Sequence, residues 1–229
     1  GMYIYPPGTK HEKDADPRDM RMFRERGAMA TEETGYGCYN IFDDFLIDTV
    51  NYSSGAFDDW MYQSQGIPTY TAELWDLKVR AGIPDVHPRK PDTPEQQLKN
   101  ALLCFKWLDE NVKDYPGGSP FKAWTKFDHP QLGTVEIGSV DWKFTMQNCP
   151  PGYLEQEMDK NTRAQLRFAQ VLPHLSIDKM QAEPQADGVY KITAVVSNQG
   201  YLPTFITNEA KSLKVDQPLV AKVETAGEL

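Results

Sequence analysis

Four prolines divide this chain within residues 82–94. They stand at positions 84, 88, 91 and 94. Proline fixes φ and has no N–H to donate, so neither a long helix nor a central strand can run through such a segment. The segment therefore indicates an extended connection, with separate elements on either side of it.

A helix is predicted directly after this connection. Thr93 and Gln96 have the spacing of a capping box, in which each side chain bonds to the backbone N–H of the other residue. Apolar residues then recur with helical spacing, at Leu98, Ala101, Leu102, Phe105 and Leu108. We expect these residues to form one buried face.

The remaining segments predict both helices and strands. Asp16-Pro17 has the pattern of an N-cap followed by proline, and Gly66 is expected to end a short helix that includes Trp60. A long helix is predicted after Pro150-Pro151-Gly152, to about Leu172, with an apolar stripe of Leu154, Met158, Leu166 and Ala169. Strands are predicted at 38–42, 69–75, 135–137 and 142–144. We therefore expect an α/β fold.

Residues 174–229 differ in character from what precedes them. Strands are predicted at 189–196, 204–207 and 219–224, which favours a small β-sandwich-like module. Such a length is near the lower limit for a core that folds alone, so the module is expected either to pack against its neighbour or to be incomplete. Residues 1–173 are then a first part, with an insertion at about 80–150.

Composition excludes several classes of protein. Lys and Arg number 24 against 33 Asp and Glu, a net charge of −9. This argues against a general nucleic-acid binder, which needs basic residues to neutralise phosphates. No apolar run approaches the roughly 18 residues that span a bilayer. The 3 cysteines have no paired spacing, so neither a disulfide scaffold nor a cysteine zinc site is indicated.

Few residues have a pattern that indicates chemistry. The four histidines form no metal-binding motif, and we expect surface or structural roles for His11, His87, His129 and His174. The pair Asp58-Asp59 is typical of a loop or a helix start. Glu73 is different, because the neighbouring residues of its predicted strand favour burial. A carboxylate in such an element needs partners or a function, unless the end of the strand is exposed to solvent.

The stretch from Gly55 to Leu74 contains D-W-M-Y at 59–62, G-I at 66–67 and T-A-E-L at 71–74. This order and spacing resembles the end of the catalytic domain of zinc metallocarboxypeptidases of the carboxypeptidase A/B type. Residues 3–8 are similar to that family's strand ending in L-Y-P-x-G. Residues 127–133 and 148–151 resemble a bacterial subgroup with an insertion and a C-terminal β module.

The resemblance implies roles for three residues. Glu73 would be the general base that deprotonates a zinc-bound water and passes the proton to the leaving amine. Tyr52 would be the mobile tyrosine that covers bound substrate. Asp58 would be an acid at the floor of the specificity pocket, favouring Lys or Arg at the C-terminus of a peptide or protein substrate. The parent protein would be secreted or periplasmic.

The chain also departs from the family pattern. The family binds zinc through an HxxE pair and a later histidine on the strand that leads to the Y-P-x-G turn, and both are absent here, as are the arginines that hold the substrate carboxylate. We therefore expect the C-terminal part of a carboxypeptidase-like protein, with no metal ligands in this chain and no activity alone. Missing sheet neighbours would expose a sheet edge and an apolar face, which favours homo-oligomers or partner strands that cover the edge.

Two other functions stay open. One is a non-catalytic binding or structural protein on a carboxypeptidase-like scaffold, in which Glu73 is a structural acid. The other is a metal-free hydrolase that uses paired carboxylates, such as a glycosidase with Glu73 and an aspartate. No carboxylate pair in the sequence has an identifiable separation for that chemistry.

Overall fold

The computed structural model describes residues 1–48, 50, 52 and 54–224. The strands are β1 (Met2–Tyr5), β2 (Gly37–Asn40), β3 (Thr71–Glu73), β4 (Phe121–His129), β5 (Gly133–Val140), β6 (Leu175–Pro184) and β7 (Tyr190–Asn198). The helices are α1 (Pro17–Thr34), α2 (Phe57–Gln65), α3 (Leu77–Arg80), α4 (Pro94–Asn111), α5 (Leu154–Gln170) and α6 (Asn208–Leu213). The described chain is therefore a mixed α/β protein.

A three-stranded sheet, in the order β2-β1-β3, lies at the centre. β1 is parallel to β2 and antiparallel to β3. All four residues of β1 are buried, because alternate side chains leave a strand on opposite faces and both faces are covered. Tyr3 and Tyr5 pack toward α1 and α5, whereas Met2 and Ile4 pack with Ile41.

The first helix begins where the sequence predicts. The side chain of Asp16 accepts hydrogen bonds from the backbone N–H groups of Arg18 and Asp19, and Pro17 is the first helical residue. Phe23 of α1 stacks on Tyr5, with ring centroids 5.4 Å apart. This contact fixes α1 against the central strand.

The apolar stripe of α5 is not the face that the helix buries. Leu154, Met158, Leu166 and Ala169 are exposed, and the buried residues are instead Glu157, Asn161, Ala164 and Phe168. The helix is thus rotated relative to the expectation. Tyr3 decides the rotation, because its hydroxyl donates to Asn161 over 2.8 Å and its ring meets Phe168 edge-on.

The helix after the proline segment is confirmed, and both bonds of its capping box are present. Its expected apolar face is only partly covered. Leu108 packs with Trp75 and Leu77, whereas Leu98 and Leu102 nearer the start are exposed. The predicted strand at 142–144 is wrong, since Lys143–Gln147 forms a π-helical turn.

The C-terminal segment is not the expected sandwich in the residues described. It contains one two-stranded sheet, β6 with β7, followed by α6. The strands predicted at 204–207 and 219–224 are wrong. Ile206 has a left-handed φ of 64°, which a strand does not allow, and the Thr207 side chain instead caps α6.

After its two strands, this segment packs against α1 and the central sheet. Leu202 is buried with Tyr5 and Phe23. Asp19 of α1 accepts hydrogen bonds from the backbone N–H groups of Asn208 and Glu209, at 2.8 and 2.9 Å. A carboxylate at the start of α6 also offsets the positive end of the helix dipole.

The central sheet has β2 and β3 as its edge strands. Across the described ranges, no helix is both long and apolar enough to cross a membrane.

Candidate functional site

Glu73 lies at the end of β3, and its side chain is exposed. Glu73 therefore occupies a solvent-exposed strand end, although its neighbours favour burial. The reason is that β3 is a short edge strand, whose continuation is stopped at Trp75 by a left-handed φ of 69°. In the antiparallel pair with β1, Glu73 stands opposite Met2. An exposed carboxylate at this position is in contact with solvent.

Asp58 and Asp59 are buried in the first turn of α2. Asp58 accepts a hydrogen bond from the Thr71 hydroxyl at 3.0 Å and one from the Asp59 N–H at 2.9 Å. Asp59 accepts from the N–H of Gly8 at 2.8 Å. The two carboxylates therefore tie α2 to β3 and to the turn after β1.

The surroundings of Asp59 disfavour the ionised form of its carboxyl group. Its Oδ2 is buried and has no hydrogen-bond partner among the described residues. Burial raises the pKa of Asp59, and the nearby charge of Asp58 raises it further, against the opposing effect of the Gly8 bond.

Tyr52 is half exposed. Within the described ranges, no hydrogen bond or ion pair joins any two of Tyr52, Asp58 and Glu73. Asp58 and Glu73 are nevertheless related through Thr71, which binds Asp58 and precedes Glu73 by two positions on β3.

A second charged group surrounds Glu157, which is only 1% exposed. Arg80 donates from Nη2 to its Oε1 at 2.6 Å, and Lys160 Nζ lies 2.8 Å from its Oε2. The Tyr36 hydroxyl also donates to Oε2. Tyr36 in turn accepts the backbone N–H of Trp75 at 2.7 Å. The group thus joins α5 to α3 and to the segment after β3.

These contacts determine the ionisation of the cluster. Burial alone would raise the pKa of Glu157, but the bonds from Lys160, Tyr36 and Arg80 outweigh it and hold the pKa below its ordinary value. Burial, and then the bond to Glu157, raise the pKa of Tyr36. Glu157 therefore stays ionised near neutral pH. Because both of its oxygens are engaged, it serves as an anchor rather than as a free base.

Aromatic rings support the same cations. The Arg80 guanidinium lies 4.6 Å from the ring centroid of Trp75 and 5.1 Å from that of Tyr153. Lys160 lies 4.2 Å from the ring centroid of Tyr36. Such cation–π contacts favour charged groups that have lost part of their hydration.

A cavity of about 200 Å³ lies beside Glu157. Its other walls are mostly apolar, formed by Leu74, Trp75, Phe144, Cys149, Leu154 and Met158. Burial raises the pKa of the Cys149 thiol, so this cysteine is not an activated nucleophile.

Sequence reasoning missed this cluster for a physical reason. Arg80 and Glu157 lie far apart in the chain, on opposite sides of the predicted insertion. The one available signal was Glu157 itself, an acid three residues from Lys160 on a predicted helix.

The described residues contain no group of three or more His, Cys, Asp or Glu side chains able to hold a metal ion. His11 contacts Asp43, and His87 lies between Asp85 and the Asp44 carbonyl.

A family model described as a domain of unknown function, DUF8731, matches residues 174–229. The match covers β6, β7 and α6 and less than half of the chain, and its description names no activity. No curated protein and no solved structure matches this chain.

Proposed function

We propose that this chain is part of a zinc-dependent metallocarboxypeptidase-like protein, which removes C-terminal residues from peptides with Glu73 as general base. The observation that carries the proposal is the register of β1 and β3, in which Glu73 stands opposite Met2. The resemblance puts the later zinc-binding histidine of the family just upstream of β1. This register would bring such a residue close to Glu73.

The proposed chemistry uses an exposed carboxylate. Glu73 accepts a proton from the attacking water and gives it to the leaving amine, a role that requires contact with solvent and substrate. On this proposal Tyr52 covers the bound peptide, and Asp58 favours a basic C-terminal residue. The bond from Thr71 to Asp58 supports the pairing of α2 with β3 that these roles need.

On this proposal, another part of the intact protein supplies the zinc ligands. The test is a longer protein that includes the residues preceding Gly1. Its zinc content and its release of amino acids from peptide C-termini are measured together. Bound zinc with hydrolysis is the expected result. A longer protein that binds no zinc and cleaves no peptide contradicts the proposal.

Glu73→Gln tests the assigned base in the same longer protein. Loss of a general base lowers kcat by about 10²–10⁴-fold, while zinc content stays unchanged. Glu183→Gln is the matched control, since Glu183 is an exposed strand carboxylate on β6, and it should leave kcat within about twofold. Equal kcat values in wild type and Glu73→Gln would remove the assignment.

The second candidate is a non-catalytic binding protein on the same scaffold. One observation favours it: the Asp58 side chain is buried, with both oxygens engaged by Thr71 and Asp59, as expected for a structural acid. A longer protein that folds without zinc and without hydrolysis supports this candidate.

A further inference from the structure

The pair β6–β7, residues 175–198, forms a two-stranded sheet that we call the ribbon. Its strands are exposed along almost their whole length. Isolated two-stranded sheets are at best marginally stable in water, and an exposed apolar face is typical of an interaction surface. The two faces of the ribbon differ in polarity.

The strand register assigns each side chain to a face. Residues that stand opposite each other in an antiparallel pair share a face, and successive residues alternate. Ile177 is opposite Val196, but Lys179 is already opposite Val195, so Asp178 is an extra residue in a bulge. The apolar residues of β6 stand at odd positions before this bulge and at even positions after it. The bulge keeps them on one face.

One face of the ribbon, which we call the apolar face, consists of apolar side chains apart from Asn198, which stands opposite Leu175. It contains Leu175, Ile177, Met180, Ala182, Pro184, Tyr190, Ile192, Ala194 and Val196. The opposite face is polar apart from Val195. The exposed fraction of the six larger side chains on the apolar face runs from 44% for Leu175 to 71% for Met180.

We propose that the apolar face packs against the same face of a second copy of this chain, so that two ribbons form a two-layer sandwich. A twofold interface needs a self-complementary surface, and an apolar face without charges meets that condition. Lys179, Glu183 and Lys191 all lie on the opposite face. Despite the net charge of −9, dimerisation would therefore bury no charge on the apolar face.

The apolar area that two ribbons could bury against each other predicts a weak dimer. Full burial of one large apolar side chain removes about 60–120 Å² from water, so the exposed parts of this face amount to about 450 Å² per copy. The total of about 900 Å² is below the roughly 1,200 Å² of stable interfaces and within the range of transient ones. An interface of this size is expected to be transient, with a dissociation constant in the micromolar range.

The test uses the full chain in sedimentation velocity experiments from about 5 to about 500 μM, which spans the expected constant. Val196→Glu places a charge on the apolar face, and Val195→Glu places the same charge on the opposite face. The two valines are neighbours with nearly equal exposure, 49% and 45%. We expect a wild-type dimer that Val196→Glu weakens at least about tenfold, with Val195→Glu within about twofold of wild type. A wild-type chain that is monomeric throughout, or two variants with equal effects, overturns the proposal.

A measurement on the wild type alone tests the proposal even if a variant fails to fold. Isoleucine methyl resonances are followed by NMR on dilution. Ile177 and Ile192 on the apolar face should shift, whereas Ile67, exposed after α2, should not. Concentration-independent shifts for Ile177 and Ile192 overturn the proposal as well.

Discussion

The carboxylate of Glu157 is buried between two cations and a tyrosine hydroxyl. A buried ion pair adds little relative to an apolar replacement, but removing one partner leaves uncompensated charge. Arg80 and Lys160 keep some contact with solvent, which reduces that cost. At the residue scale, a substitution in this cluster is the one that should lower the free energy of unfolding most clearly.

Glu157→Gln should lower the free energy of unfolding by about 3 kcal/mol, at the low end for a broken buried pair because Arg80 remains partly hydrated. The measurement is urea denaturation at pH 7. Glu155→Gln is the control, because Glu155 lies exposed on the same helix, and it should change stability by less than about 0.5 kcal/mol. Equal effects of the two variants would contradict the role given to Glu157.

The same variant gives a pH prediction. The pKa of Glu157 is lower in the folded state than its ordinary value of 4.5, so its stabilisation is present above that value and is lost as pH falls through the lower folded pKa. The stability difference between wild type and Glu157→Gln should therefore shrink as pH falls below about 4.5. A constant difference from pH 7 to acid would contradict this linkage.

At the scale of single elements, α5 shows how a correct helix can be given the wrong buried face. Its apolar residues form a plausible stripe, yet polar Glu157 and Asn161 occupy the buried side. They are tolerated there because each has hydrogen-bond partners: Asn161 accepts from Tyr3 and donates to the Glu157 carbonyl.

Two identical substitutions on α5 test this orientation. Ala164 is fully buried and Ala169 is exposed, although the predicted stripe contained Ala169. Ala164→Leu should lower the free energy of unfolding by about 1–3 kcal/mol through overpacking. Ala169→Leu should stay within about 0.5 kcal/mol of wild type. Denaturation in urea measures both, and the reverse order would restore the predicted stripe.

At the scale of the whole molecule, residues 174–229 divide into two unlike pieces. The ribbon is exposed, whereas Leu202 and α6 pack against α1 and α2. A Cβ added to Gly66 at the end of α2 would lie 2.4 Å from the Ala210 Cα, so the two helices approach closely at that point. Residues 199–213 therefore contribute to the main core.

Two deletions separate these pieces. Replacing residues 176–197 by a short glycine-containing turn should change the free energy of unfolding by less than about 1 kcal/mol, because the retained pair Leu175 and Asn198 are close enough for such a turn to join. Ending the chain at residue 173 removes Leu202 and Ala210 from the core and should cost more than about 3 kcal/mol. Urea unfolding followed by tryptophan fluorescence compares them. Equal stabilities would show that residues 199–213 do not support the body.

Parts of this fold are encoded locally and could be predicted from the sequence. Three features depend only on residues within about one helical turn of each other. They are the closely spaced prolines of residues 82–94, the Thr93–Gln96 capping box and the Asp16 cap. β6 was missed although its residues alternate, because the bulge at Asp178 changes the phase of the alternation within the strand. The predicted strand at 142–144 failed because its neighbours close a helical turn instead.

The sequence by itself determined where the main helices begin and that the fold is mixed α/β, because caps, prolines and periodicity act over a few residues. Only the tertiary structure decided which face of α5 is buried, which cations balance Glu157 and that Glu73 is exposed on an edge strand. Those features depend on contacts between residues far apart in the chain, such as Tyr3 with Asn161 and Arg80 with Glu157, which no local pattern specifies.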